Sequence, residues 1–311
     1  MIKRVLYSSA IVVCSSLFTL LFVRAATTSD NTLFTFFNLK SAVKTTNSLP
    51  NQHINAPKIP ESITFAGEIV PLDELDTRER FDNELIINTN RHSSTILLIK
   101  KANRFFPVIE KILAEQGIPD DFKYLCMAES GLDNVVSSLG ASGFWQFMKN
   151  TAPQYGLFID SEVDERYDLE KSTIAACKYL KSAREINGSW TNAAASYNMG
   201  ITGVTNQISK QEDSIYYNLF LNSETSRYIF RILALKTIYE NQHQYGFYLD
   251  KEDLYEPYET KEIIVDNYID WMSFAQNNQI SYKMVRRLNP WIRDPKLVNK
   301  ERRSYQVKIP K

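Results

Sequence analysis

The sequence predicts a mainly α-helical protein, with a helical domain over residues 93–250 and a small strand–helix–helix–strand module over residues 260–311. Apolar residues recur at steps of three and four through the first region, and no alternating strand pattern interrupts it. Short alternating runs appear near the carboxyl end, where they flank two short helical segments. A chain of 311 residues accommodates one large domain and one small one.

Composition and charge exclude several classes of function. The 36 Lys and Arg residues balance 36 Asp and Glu residues, so no overall field favours a nucleic-acid partner. The three histidines are scattered, and no Cys/His cluster has the spacing of metal ligands. We therefore predict no metal site, no cofactor and no nucleic-acid partner. Cys126 and Cys177 lie in apolar helical patterns and are predicted to be buried free thiols, with a disulfide between them as the alternative.

The first 92 residues are predicted to direct the chain to its location and to connect that targeting segment to the folded domains. Lys3 and Arg4 precede an apolar run from Val5 to Val23, which is the pattern of a signal peptide over residues 1–26. The run of 19 residues is long for that purpose, so an uncleaved anchor with membrane association is the alternative. In both cases we expect export to a periplasmic or envelope-associated location. Residues 27–92 begin rich in Thr, Ser, Asn and Pro, which predicts a linker and N-terminal extension.

Helix boundaries in residues 93–250 follow from capping and breaking residues. The first helix is expected to end before Pro107, which would begin a second helix that stops at Gly117. Asp168 is positioned to cap a helix that ends at Gly188. Further helices are expected over about residues 191–198 and from Ser223 onward.

The carboxyl-terminal module is predicted from four short segments, which we expect to fold as an independent unit. They are strands at Glu262–Val265 and Tyr305–Ile309 and helices at Ile269–Asn278 and Ser281–Leu288. Residues 281–311 hold ten Lys and Arg against two Asp and Glu, a net charge of +8. This charge indicates either a solvated face or a surface for anionic wall polymers or a membrane.

Glu129 is a candidate general acid. On a helix it continues the apolar stripe formed by Phe122, Leu125 and Cys126. It also lies near the carboxyl end of that helix, where the helix dipole disfavours negative charge. Burial and the dipole both raise the pKa of a carboxyl group, and a glutamate that is protonated near neutral pH can act as a general acid. The alternative, for a Glu-Ser pair taken alone, is a solvated glutamate in a last turn.

Two later segments carry groups that suit sugar binding. The small residues at 140–143 let a backbone approach a ligand, and residues 144–148 supply aromatic faces and the amide of Gln146. A second helix ends with Tyr197 and Asn198 before a glycine. The alternative for the aromatic residues is core packing, but an amide at Gln146 has no role in a purely apolar core.

In this order the segments resemble the lytic transglycosylases of the soluble and membrane-bound D type, whose catalytic domain is similar to goose-type lysozyme. The resemblance covers residues 90 to 250 approximately. It rests on four ordered motifs: Glu129-Ser130, Gly143-Phe144-Trp145-Gln146, Ala195-Ser196-Tyr197-Asn198 and Glu224-Thr225-Ser226-Arg227-Tyr228. Ser196 departs from the pattern, because many relatives have alanine there.

The resemblance implies a role for each matched residue. Glu129 would be the single catalytic acid and then the base. Substrate-binding roles are implied for Ser130, Gln146, Tyr197, Asn198 and Tyr228. Ser130 would hydrogen-bond the substrate or the glutamate, and Tyr228 would lie near the catalytic carboxyl. Tyr197 and Asn198 would contact Glu129 and an N-acetyl sugar, whereas Glu224 is expected to start a helix.

The resemblance also implies a reaction on peptidoglycan glycan strands. One carboxylate would suffice to cleave the MurNAc-β-1,4-GlcNAc bond without water and leave a 1,6-anhydro-MurNAc end, since no other carboxylate is recognisably paired with Glu129. Asp133 is the nearest in sequence and is expected on a surface loop. A lysozyme-type hydrolase and a non-catalytic wall-binding scaffold are the alternatives.

Residues 260–311 resemble a LysM domain, a binder of N-acetyl sugar polymers. The resemblance lies in Leu288-Asn289-Pro290-Trp291 and in the final strand. The glycine-rich first loop of that family is absent, and Asp266-Asn267-Tyr268 stands in its place. The resemblance therefore implies the fold more strongly than glycan binding.

Overall fold

A computed structural model describes residues 55–311, so the expected signal peptide or anchor over residues 1–26 lies outside the described residues, as does the part of the expected linker over residues 27–54. Within the described residues, no helix combines the length and apolar character needed to cross a membrane.

Seven helices in the described residues build the larger domain, which also contains a short hairpin of β1 (Thr64–Phe65) and β2 (Glu68–Ile69). They are α1 (Leu75–Asn90), α2 (His92–Glu115), α3 (Phe122–Ser130), α4 (Leu169–Asn187), α5 (Trp190–Met199), α6 (Ile201–Gln211) and α7 (Ser223–Glu240). Side-chain caps fix several starts: Asp168, Ser189 and Asn222 each accept backbone N–H bonds from the first turn of α4, α5 and α7. The mainly α fold class and the Asp168 cap are thereby confirmed, whereas α6 was not predicted.

The expected linker and N-terminal extension over residues 27–92 is folded from Thr64 onward. Phe65, Phe81 and Leu85 are fully buried in the same apolar core as the helices that follow. The Glu68 carboxylate accepts bonds from the backbone N–H groups of Trp190 (2.7 Å) and Thr191 (2.9 Å), at the start of α5. Because α1 is largely polar and buries few side chains, its apolar period is too weak to detect in the sequence.

Pro107 does not begin a second helix, because α2 continues through it. The proline ring faces solvent, while Phe106 and Ile109 beside it are buried. A missing N–H donor is tolerated there because water can reach the carbonyl left free. The expected stop is correct, since α2 ends at Glu115 and Gly117 follows with a φ of 64°.

Helix α3 lies at the centre of the larger domain. Its residues from Phe122 to Met127 are all buried, with Phe122, Leu125 and Cys126 at 0% exposure. Cys126 is a free thiol, as is the buried Cys177 of α4, so the expectation of buried thiols is confirmed. A short helix enclosed in this way has little freedom to move, which fixes the position of the residues at its carboxyl end.

The carboxyl-terminal module has the predicted strand–helix–helix–strand order. Strands β3 (Thr260–Val265) and β6 (Tyr305–Pro310) pair antiparallel, with Thr260 opposite Pro310 and Val265 opposite Tyr305. Helices α8 (Trp271–Asn277) and α9 (Tyr282–Leu288) lie between them in sequence, and a second pair joins β4 (Ile269–Asp270) to β5 (Lys296–Leu297). Its core is formed by Trp271, Val285, Trp291, Ile292 and Val307.

The module contacts the larger domain directly, and its folding as an independent unit stays a prediction. Val163, which precedes α4, is fully buried in the core of the module and forms a β-bridge with Ile292. The Asp164 N–H donates to the Trp291 carbonyl (2.9 Å), and the Arg293 N–H donates to the Glu162 carbonyl (2.7 Å). Residues 56–311 accordingly form one compact unit.

Candidate active site

Glu129 lies in the last turn of α3, at the point where the chain leaves the core. Gly131 takes a left-handed conformation (φ 64°, ψ 30°), and its N–H donates to the Met127 carbonyl (3.0 Å). This ends the helix without burying an unpaired backbone group. Glu129 therefore projects from a rigid apolar helix while keeping partial exposure to solvent.

Its carboxyl group is bound by a tyrosine that is 99 residues distant in sequence. The Tyr228 hydroxyl of α7 donates a hydrogen bond to Glu129 Oε1. Burial raises the pKa of Glu129 to about 7, and it outweighs the opposing effects of the Tyr228 hydrogen bond and the Arg231 charge. A carboxyl group with this pKa is protonated in a large fraction of molecules at neutral pH and can donate its proton.

Three elements present titratable groups to Glu129. Helix α7 contributes Tyr228, Arg231 and Glu224, whose negative charge raises the pKa of Glu129. Burial and the charge of Glu129 raise the pKa of Tyr197 in α5 and of Cys126 in α3 well above their ordinary values. Both groups are therefore neutral, and Arg231 is the cation among the groups that act on Glu129 in the described part of the chain.

The loop after α3 is fixed by a buried arginine that the sequence analysis did not identify. Arg166 Nη1 donates to the carbonyls of Gly140 and Phe147, at 3.1 Å each. Its Nη2 donates to Asp164 Oδ2 (2.7 Å), and both side chains are less than a tenth exposed. A planar guanidinium with five donors suits this role, because it ties two points of the loop to one charged partner.

Gly143 is required by the close approach of this loop to Arg166. Its φ is 82°, and a Cβ atom there would lie 1.9 Å from the Arg166 carbonyl oxygen. The loop backbone is also paired internally, with the Gly143 N–H donating to the Val135 carbonyl (3.0 Å) and the Ser142 N–H to the Phe147 carbonyl (3.1 Å). The glycine of the second motif is therefore explained by packing.

Gln146 is held at the end of this loop with a φ of 49°. Its Nε2 donates to the carbonyls of Gly143 (2.7 Å) and Val135 (3.1 Å). Within residues 55–311, Oε1 of this side chain forms no hydrogen bond, so it is free to accept one from a ligand. The side chain is half-buried, which suits a polar group at the wall of a cleft.

Ser130 does not hydrogen-bond Glu129. Its hydroxyl donates to the Cys126 carbonyl (3.3 Å) and accepts from the Asp133 N–H (3.5 Å). It therefore helps to end α3, and its expected contact with substrate stays a prediction.

Tyr197 and Asn198 frame the site from α5 without bonding Glu129 directly. The Tyr197 hydroxyl donates to the Trp145 carbonyl (2.7 Å), which joins α5 to the loop. Asn198 Oδ1 accepts from the Thr225 hydroxyl (2.7 Å), and its Nδ2 donates to Glu224 Oε1 at 3.4 Å. The first and fourth motifs meet in the Glu129–Tyr228 bond, and the third motif joins the second through Tyr197 and the fourth through Asn198.

The aromatic residues expected to face a sugar are instead part of the core. Phe144 is 4% exposed and Trp145 is fully buried, with its Nε1 donating to the Thr173 hydroxyl (2.8 Å). Phe147 is also buried, as expected from core packing, whereas Met148 is 43% exposed. Burial of the Trp145 indole stabilises the folded state more than exposure to solvent would, because the surrounding helices provide an apolar environment for it.

Two further carboxylates near the site differ in what they can do. Asp133 forms an ion pair with Lys101 (3.0 Å) on the surface, as expected for a loop residue. Glu224 is exposed at the start of α7, where Asn222 caps the helix and an acidic residue is favoured by the dipole.

Comparisons with known proteins identify two domain families in this chain. Residues 107–220 match the family model of the Transglycosylase SLT domain, and residues 261–311 match that of the Soluble lytic transglycosylase C-terminal LysM-like domain. Over 145 residues the chain is 30% identical to the membrane-bound lytic murein transglycosylase D of Escherichia coli K12, and equally to that of Escherichia coli O6:H1. The match covers 45% of this chain and 32% of each relative, so the chain spans about a third of the length of these curated relatives. The resemblance inferred from the four motifs is confirmed: the chain carries a transglycosylase SLT domain, mostly helical and lysozyme-like, followed by a LysM-like domain of the soluble lytic transglycosylase type.

Proposed function

We propose that this chain is a peptidoglycan lytic transglycosylase that cleaves the MurNAc-β-1,4-GlcNAc bond and leaves a 1,6-anhydro-MurNAc end. The observation that carries the proposal is Glu129, a carboxyl group with a pKa of about 7 that a buried tyrosine holds at the end of a rigid helix. The matches to a transglycosylase domain and a LysM-like domain support peptidoglycan as the substrate.

The chemistry needs one carboxyl group that acts twice. Tyr228 occupies Oε1 of Glu129, so the proton is available on Oε2. Glu129 donates this proton to the glycosidic oxygen as the bond from that oxygen to C1 of MurNAc breaks. The resulting carboxylate then removes the proton from the C6 hydroxyl of the same sugar, and that oxygen bonds to C1. No water is consumed, and Glu129 ends the cycle protonated.

The tethered C6 hydroxyl competes well with water. Well-oriented intramolecular nucleophiles reach effective concentrations of roughly 10⁵ M or more, far above that of bulk water. Gln146 Oε1, Asn198 and Ser130 are the polar groups that we assign to binding the sugars around the cleaved bond. The LysM-like domain would retain the enzyme on glycan strands, and export with envelope association follows from the reaction proposed.

Glu224 supports a second candidate, a lysozyme-type hydrolase. Its charge is close enough to raise the pKa of Glu129, and it is exposed, so it could activate a water molecule. A scaffold without catalytic activity is a third candidate, but it would have no need of a glutamate with a raised pKa.

Digestion of purified sacculi in H₂¹⁸O, followed by mass spectrometry, distinguishes these candidates. The transglycosylase yields products that are one water lighter, lack ¹⁸O and resist borohydride, whereas a hydrolase yields reducible products that carry ¹⁸O. We expect Glu129→Gln to lower activity by about 10²–10⁴-fold or more, because the amide cannot supply the proton. Asp133→Asn is the matched control and should retain activity. Reducible, ¹⁸O-labelled products that disappear in Glu224→Gln would replace the first candidate with the hydrolase.

A further inference from the structure

The most buried ion pair between α1 and α7 involves Glu84. This side chain is 2% exposed, and its Oε1 accepts from Arg227 Nε and Nη2, at 2.7 Å each. Its Oε2 lies 3.9 Å from Arg231 Nε. Asn88, one turn later on α1, donates to the Glu84 carbonyl (2.8 Å) and to Oε2 (3.4 Å). A buried carboxylate needs such partners, because water cannot compensate its charge.

The arginines that bind Glu84 flank the residue that binds Glu129. Arg227 and Tyr228 are adjacent in α7 and Arg231 follows one turn after Arg227, and Tyr228 donates its hydroxyl bond to Glu129 from this segment. Arg231 also acts on Glu129 through its charge. Glu84 is therefore linked to the Glu129 carboxyl group through Arg231.

We propose that Glu84 is a positioning residue for the acid chemistry of Glu129: it pairs with Arg231 and balances the charge of that arginine beside the Glu129 carboxyl. The inference rests on the proposed function, in which Glu129 acts as the general acid. The electrostatic coupling between the Glu84 and Glu129 carboxyl groups can nevertheless be measured without any reaction. Residues 64–90 thereby belong to the working site even though none of them is in the four motifs.

The sign of the effect follows from the groups that face Glu129. These are Cys126 of α3, Tyr197 of α5, and Tyr228, Arg231 and Glu224 of α7. Cys126 and the two tyrosines are neutral, so the balance is set by the cation Arg231 and the anion Glu224. When Glu84 loses its charge, Arg231 is less compensated and stabilises the Glu129 carboxylate more strongly. The pKa of Glu129 then falls, and fewer molecules hold the proton at neutral pH.

The experiment is a titration of Glu129 by NMR in protein labelled with ¹³C at the glutamate carboxyl groups. The Glu129 resonance is assigned by its disappearance in Glu129→Gln. We expect Glu84→Gln to lower the pKa of Glu129 by about half a pH unit or more, and Arg231→Gln to raise it by a similar amount. The double variant, which lacks both charges, should return close to the wild-type pKa. Asp76→Asn is the control, because Asp76 forms an exposed ion pair with Arg80 on the same helix and should leave the titration unchanged.

The shift has a counterpart in activity. The high-pH limb of the rate on glycan fragments should move in the same direction as the titration for each variant, a change that a merely structural role would not produce. If Glu84→Gln does not fold, Glu84→Asp, which draws the carboxylate back from Arg231, should lower the pKa of Glu129 by a smaller amount. Titrations of the glutamate and arginine variants that coincide with wild type would overturn the inference. Failure of the proposed function is recognised separately, because wild-type protein would then release from sacculi either no product or only the reducible, ¹⁸O-labelled products of a hydrolase, while its Glu129 still titrated near 7.

Discussion

Replacement of Tyr228 by phenylalanine removes one hydroxyl group and should change the acidity of Glu129. The Tyr228 side chain is 2% exposed and its ring packs in the core, so phenylalanine fills the same space. The hydroxyl donates to Glu129 Oε1 and favours the carboxylate form. Burial raises the pKa of Glu129, and the Tyr228 hydrogen bond is one of the effects that lower it. Without this hydrogen bond, the pKa of Glu129 must rise.

The size of the shift follows from the strength of that hydrogen bond. A hydrogen bond to a charged group contributes roughly 1.5–3 kcal/mol. One pH unit corresponds to about 1.4 kcal/mol, so the pKa of Glu129 should move from about 7 upward by roughly 1–2 units. The acid becomes weaker and its orientation less fixed, and we expect the rate at pH 6 to fall by about tenfold or more.

The assay is the pH dependence of the initial rate on soluble glycan fragments below saturation. Activity that needs protonated Glu129 declines as pH rises through its pKa, so the high-pH limb reports this group directly. Tyr197→Phe is the matched control, because this tyrosine is also enclosed near Glu129 but donates its hydroxyl bond to the Trp145 carbonyl. Its high-pH limb should stay close to that of wild type.

Two results would refute this reasoning. The first is a Tyr228→Phe variant whose high-pH limb coincides with wild type, which would mean that the hydroxyl does not bind the ionised form. The second is an equal shift in both tyrosine variants, which would point to a general change in polarity instead of one hydrogen bond.

Three further predictions concern stability. Gly143→Ala should destabilise the protein by about 3 kcal/mol or more in denaturant unfolding, because its Cβ would meet the Arg166 carbonyl at 1.9 Å. Gly140→Ala, at a similar φ of 85° with no atom within 4 Å, should cost only about 1–2 kcal/mol, and equal losses would contradict the steric explanation. Glu129→Gln should stabilise the protein at high pH: the folded-state pKa of about 7 exceeds the ordinary value of 4.5, so wild-type stability is highest below about 4.5 and declines as pH rises to 7. The variant should gain about 3 kcal/mol at pH 8 and nothing at pH 4, as measured by unfolding at both pH values, and a constant difference would disprove the linkage. Deletion of residues 260–311 should lower the melting temperature and solubility of the remaining domain, because it exposes Val163 and the backbone groups that pair with the module. A truncated protein as stable and soluble as the full chain would show that the two domains are independent.

Local patterns were sufficient to predict much of the helical framework. The stripe of Phe122, Leu125 and Cys126 identified the buried face of α3 and placed Glu129 at its end. Asp168 and Gly188 marked the two ends of α4, and alternation marked the outer strands of the module. Each of these signals is carried by residues within a few turns of one another, so the sequence contains it directly.

Contacts between distant residues were beyond the reach of such patterns. Whether Trp145 faces a ligand or the core depends on the helices around it, and these bury it completely. Arg166 and Glu84 were not identified, since Arg166 binds the distant carbonyls of Gly140 and Phe147 and Glu84 binds the arginines of α7. Pro107 was misassigned for the related reason that a ring facing solvent costs a helix less than one in the core.

The sequence alone therefore determined most of the helices, the four motifs and the candidate acid. Only the tertiary structure decided that Tyr228 binds Glu129 across 99 residues, that residues 64–90 join the core, and that the module is attached through Val163. The physical reason is that periodicity and capping depend on neighbours along the chain, whereas the pKa of a carboxyl group depends on every charge and dipole that packing brings close to it.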